Sequence, residues 1–150
     1  MSRLDFQYNN GGRSEAGIKG KGNDCVVRAF AIATGKPYEE ISALVESYCK
    51  EEKPGKRRRK KSNARTGVHT VTTRKVAEAL GFEWTPTVGI GTGCHVHPRQ
   101  GEIPDGRIIA KVTRHLCAVI DGTIHDTLDP SRDGTRCVYG YYSLPNESVK

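Results

Sequence analysis

The sequence predicts an α+β fold, and three observations lead there. Apolar residues recur at helical spacing between residues 24 and 80. Short β-rich runs fill the region from 107 to 143. Between two of these runs stands Asp121-Gly122, the strongest short-range hairpin signal a sequence offers. Helices first and strands second, without internal repeats, is the α+β order. At 150 residues the chain reads as a single domain, 1–150, long enough for one core.

Residues 1–22 are polar and Gly-rich and read as a surface segment. The first helix spans about 24–34, with Asn23 or Asp24 as N-cap and Gly35 as its stop. Within it only Arg28 is charged, while Val26, Val27, Phe30, Ala31 and Ile32 cover nearly every side. Such a helix is buried on most of its surface. Pro37 is placed to open a second helix, about 37–50, with Tyr38, Ile41, Leu44, Val45 and Tyr48 as its apolar stripe. A third, about 72–80, carries Val76, Ala77 and Leu80 and ends at Gly81. GFEWTPTV then reads as extended. The runs RIIAKV (107–112), HLCAVI (115–120), TIHDTL (123–128) and RCVYGYYS (136–143) read as an antiparallel sheet.

The net charge of +7 belongs to one patch. Residues 53–65, KPGKRRRKKSNAR, contain no acid, and the rest of the chain is close to neutral. Lys56, Arg57, Arg58, Arg59, Lys60 and Lys61 thus form a basic loop suited to nucleic acid or another acidic partner. No apolar stretch approaches the roughly 20 residues of a bilayer span, so no membrane partner is expected. The N-terminal MSRLDFQYNNGG lacks the apolar core of a secretion signal. The cysteine count, 5, is odd and shows no framework spacing. Reduced thiols and a cytoplasmic location follow.

Cys25 stands in the first turn of the apolar helix. A helix N-terminus carries unpaired N–H groups and roughly half a positive charge, which favours thiolate. The same N–H groups can receive the oxyanion of an attacked carbonyl. A thiol nucleophile also needs a base and a group to orient that base. If Asp121-Gly122 is a two-residue turn, Ile120 faces Thr123 and His115 falls opposite Leu128. Asp126 is then its diagonal neighbour on the same face, within reach of a long side chain. A three-residue loop would put Asp129 opposite His115 instead.

GNDCVVRAFAIATG followed by RHLCAVIDGTIHD resembles the papain-like cysteine peptidase superfamily in its compact bacterial and phage forms, among them bacteriocin-processing peptidases. The resemblance covers the helix at 24–34 and the sheet at about 107–143. It implies a papain-like fold, with the Cys-bearing central helix packed on the C-terminal sheet. It also implies Cys25 as nucleophile, His115 as general base and Asp126 as orienter, without a cofactor. Many members place a Gln about six residues before the cysteine to complete the oxyanion hole; here Lys19 occupies that position. Asn23, Lys19 or a folded-back Gln7 are the candidates to assist the Cys25 backbone N–H.

Cys94, His95 and His97 in GTGCHVHP are metal-ligand types, but no paired second cluster accompanies them, and no metal is expected. Two function classes follow. The first is a thiol hydrolase or acyl-transfer enzyme acting on an amide, peptide or isopeptide bond of a protein or peptide, with deamidation and transglutamination sharing its chemistry. The second is a non-catalytic binding protein that grips a polyanion through the basic loop or sequesters a ligand. Chains of this kind occur in phage and mobile elements, where the resemblance implies a host-interaction or anti-defence role.

Overall fold

The computed structural model describes residues 3–18, 24–53, 62–64, 67–89 and 91–145. Among them are β1 (Asp5–Tyr8), α1 (Cys25–Thr34), α2 (Tyr38–Cys49), α3 (Thr70–Ala79), β2 (Glu83–Pro86), β3 (Arg107–Val112), β4 (His115–Ile120), β5 (Thr123–Asp126) and β6 (Gly140–Ser143). The strands form one sheet in the order β1-β5-β4-β3-β6-β2. The fold is α+β, three helices and a six-stranded mixed sheet.

Strand alternation divides the buried side chains between the two faces of the sheet. Ile109, Leu116 and Tyr142 pack with Val27, Phe30, Ile41, Val45 and Val76 of the helices. Ile108, Ala110, Cys117, Val119 and Ile124 pack instead with Leu4, Ile103 and Val138 from outside the helices. Helix α1 is the centre of the first cluster, since every side of it offers an apolar residue. It stops at Gly35, whose φ of 74° is easy for glycine and whose N–H donates to the Ala31 carbonyl at 2.9 Å. Each fully buried Val, Ile or Phe here contributes roughly 1.5–3 kcal/mol of transfer free energy.

The hairpin that carries His115 is closed by Asp121 and Gly122, with φ of 47° and 82°. Positive φ at both positions is the type I′ turn, whose twist suits antiparallel strands. Its register pairs Ala118 with His125, Val119 with Ile124 and Ile120 with Thr123. The two-residue loop is therefore realised.

Three expectations need correction. The sheet is mixed, not antiparallel, because β1 pairs with β5 in parallel, from Asp5↔Thr123 to Tyr8↔Asp126. All four β1 residues are exposed, so no apolar alternation marks them as a strand. The run 136–143 is a strand only from Gly140, which enters between β3 and β2. The cysteines are not all reduced: Cys94 and Cys137 form a disulfide, with Cα atoms 5.9 Å apart across a separation of 43 residues. Only the fold brings that pair together. Cys25, Cys49 and Cys117 are free. Among the described residues, no helix is long and apolar enough to cross a membrane. Lys56 to Lys61 of the basic loop lie outside the described residues.

Candidate active site

Cys25 is the first residue of α1 and is half-buried. Asp24 occupies the N-cap position but makes no side-chain cap. Its buried carboxylate turns away to a different task. Oδ2 lies 2.8 Å from Arg13 Nε and accepts the Tyr38 hydroxyl at 2.7 Å, while Oδ1 lies 3.0 Å from Arg28 Nε. The N–H groups of the first turn, beside the thiol, thus receive no cap from Asp24. The positive end of the helix then favours a thiolate and an oxyanion at this place.

His115 opens β4 and Asp126 closes β5. His115 Nε2 stands 2.5 Å from Asp126 Oδ2. The other carboxylate oxygen accepts the Thr127 N–H at 2.7 Å and Arg28 Nη1 at 3.2 Å. Arg28 Nη1 also donates to Thr127 Oγ1 at 2.7 Å. Asp126 is thus buried with both oxygens engaged, the arrangement that makes a buried carboxylate tolerable. With Nε2 committed, Nδ1 is the nitrogen left for Cys25, and each of the two side chains shifts the other's titration.

Burial raises the Cys25 pKa. The hydrogen bond and charge of His115, the Leu116 backbone and the charge of Arg28 outweigh it, so the thiol lies below its ordinary value of 9.0. Burial lowers the His115 pKa, but the Asp126 carboxylate and the Cys25 sulfur reverse this and raise it from 6.5 to about 9. Both shifts favour a thiolate–imidazolium pair. The two groups titrate as a unit, not as independent sites.

Cys25 and His115 line one cleft of about 330 Å³, with Val68, Trp84, Leu116 and Tyr142 among its walls. Trp84 and Tyr142 pack with ring centroids 4.8 Å apart, and Arg74 lies 5.6 Å over the Trp84 ring. The arrangement offers a thiol, an imidazole and an oriented carboxylate beside an open cleft.

The structure brings together Cys25, His115 and Asp126. It does not bring in the reserve residue: Asp129 Oδ1 accepts the Ser131 N–H at 2.9 Å in a turn of its own, because the two-residue loop assigns the diagonal position to Asp126. Gln7 is an exposed β1 residue paired with His125, and its amide donates to the Tyr8 carbonyl at 3.3 Å. It does not line the cleft, so no amide folds back from there. Lys19 and Asn23 lie outside the described residues.

The metal candidates are spoken for. Cys94 is held in the disulfide and has no thiolate to give, while His97 Nδ1 is 3.3 Å from Glu102. His95 is exposed, and no group of three ligand-type side chains assembles among the described residues.

Sequence reasoning missed Arg28, Asp24 and Arg13 as members of the site. The signal for Arg28 was present: the one charge in an apolar helix, three residues from Cys25 and so on the same helical face. Arg13 carried none, since it sits in a polar loop. No family model, curated protein or solved structure matches the chain.

Proposed function

We propose that the chain is a papain-like thiol hydrolase or acyl-transfer enzyme acting on an amide, peptide or isopeptide bond of a protein or peptide. The observation that carries this reading is one imidazole, His115, held 2.5 Å from the Asp126 carboxylate and lining one cleft with the Cys25 thiol. The Cys25 thiolate attacks the carbonyl carbon, and the oxyanion meets the Cys25 backbone N–H at the uncapped helix end. The His115 imidazolium gives its proton to the departing amine, leaving a thioester on Cys25 and a neutral ring. That ring takes a proton from water, or from an acceptor amine, which attacks the thioester and releases the acyl product. Asp126 holds the ring in orientation and favours its charged form throughout.

With water the outcome is hydrolysis; with a glutamine side chain as donor it is deamidation; with an amine as acceptor it is transfer. All three use the same residues.

Alkylation of native protein by iodoacetamide, followed across pH by the mass of the Cys25 peptide, tests the reading. Cys25 should react with an inflection below the ordinary thiol value, and His115→Ala should return that inflection to it. An unshifted inflection in the wild type, or one that His115→Ala leaves in place, overturns the proposal.

A further inference from the structure

The cleft beside the thiol is chemically lopsided. Its walls are largely apolar, and among the described residues the charged side chains on it besides His115 are two cations, Lys111 and Arg114. No Asp or Glu lines it among the described residues. The buried arginines, Arg13 and Arg28, are matched by Asp24 and Asp126. Lys111 and Arg114 have no such match: among the described residues no carboxylate pairs with either.

Backbone geometry points to the same place. Val112 pairs with His115, so Thr113-Arg114 is a two-residue turn, and Arg114 has a φ of 56°. Glycine adopts that conformation without penalty and arginine does not. An exposed cation is thus fixed by a tight turn one residue from His115.

We infer that the cleft selects amide substrates bearing a carboxylate next to an apolar side chain, the apolar part packing on Trp84 and Leu116 and the carboxylate meeting Lys111 and Arg114. The inference rests on the thiol-hydrolase reading and deepens it. Unpaired cations at a partly apolar cleft steer anions toward it and give specificity by charge complementarity.

Iodoacetate and iodoacetamide separate the two levels. Both deliver the same carbon to the Cys25 thiolate with loss of iodide, and they differ by one carboxylate. The ratio of their rates cancels changes in thiol reactivity common to both reagents. The ratio, iodoacetate over iodoacetamide, should fall about fivefold in Lys111→Ser/Arg114→Gly relative to wild type at about 0.05 M salt. The difference should shrink at about 1 M NaCl, where exposed charges are screened. Arg114→Gly suits the turn, so the single variant should melt no lower than wild type while taking part of the loss. A ratio that the double variant leaves unchanged overturns the inference. An iodoacetamide rate at neutral pH equal in wild type and His115→Ala overturns instead the thiol-hydrolase reading beneath it.

Discussion

Arg28 Nη1 lies 3.2 Å from Asp126 Oδ1, so the helix that presents the thiol also grips the carboxylate that steadies the base. Through Asp24 the same arginine is tied to Arg13 and Tyr38. Arg13 and Arg28 face Asp24 and Asp126, a balanced set of charges in a protected place. Such a set is costly to break and specific in geometry.

Removing Arg28 should therefore cost far more than one hydrogen bond. Arg28→Leu leaves two buried carboxylates, Asp24 and Asp126, short of a partner. Unfolding in urea should show a loss of about 3–5 kcal/mol. Arg28→Lys keeps the charge but cannot span both carboxylates with a planar fork, and should lose about 1–3 kcal/mol. Equal, small losses in both variants would show that the arginine is incidental.

Asp126→Asn keeps the shape and removes the charge that lifts His115. The imidazolium, which persists to about pH 9 in the wild type, should then deprotonate nearer the ordinary value of 6.5. The alkaline limb of peptide-bond turnover should move down with it, and the rate should fall roughly 100-fold. NMR titration of the His115 ring checks the first statement independently of any substrate. A ring that still titrates near 9 would contradict it.

The pH dependence of stability has a sign that can be worked out. A raised His115 pKa gives stability that is complete below 6.5 and lost as pH rises through about 9. The lowered Cys25 pKa acts oppositely, giving stability that is complete above the ordinary 9.0 and lost as pH falls through the folded value. Between pH 6.5 and 9 the two contributions therefore oppose one another. The wild type's dependence on pH should be shallower there than that of the ring alone. In Cys25→Ala the opposing term is gone, and stability should fall by about 1–3 kcal/mol across the same window. Urea unfolding of both proteins at the two ends of the window measures it; identical slopes would refute the coupling.

Gly140 lies against Trp84, a wall of the cleft. A Cβ at this position would stand 2.3 Å from Trp84 Cη2 and Cζ2 and 2.9 Å from the Thr85 carbonyl oxygen. Gly140→Ala must push the indole outward and strain the β2–β6 pairing, at a cost of about 1–3 kcal/mol. A lower melting temperature and an altered Trp84 emission spectrum are expected together. An unchanged spectrum would mean that the ring is not seated as described.

Legibility in the sequence varied with the locality of the information. The β4–β5 register was readable because Asp121-Gly122 dictates it, and with it the diagonal placement of His115 and Asp126. Helix α1 was readable because its apolar residues and Gly35 are contiguous. Strand β1 was not, since an exposed edge strand needs no alternation and its partner lies beyond residue 120. The Cys94–Cys137 pair was equally hidden, because spacing does not determine pairing. Asp24 was recognised by position and misread in purpose: it fits the N-cap pattern, yet two arginines and a tyrosine outcompete the backbone for its oxygens. Whether a short acidic residue caps a helix or anchors a buried cation is decided by neighbours distant in sequence.

The crossed arrangement of the sheet, with the first strand laid beside the fifth and the sixth threaded between the third and second, has a consequence for the growing chain. The thiol leaves the ribosome long before the hairpin that will activate it. Until that hairpin emerges, Cys25 lacks the His115 ring and the Leu116 backbone that help lower its pKa. On the proposed reading, each newly made copy is inert during its own synthesis and gains its reactivity when its C-terminal strands dock.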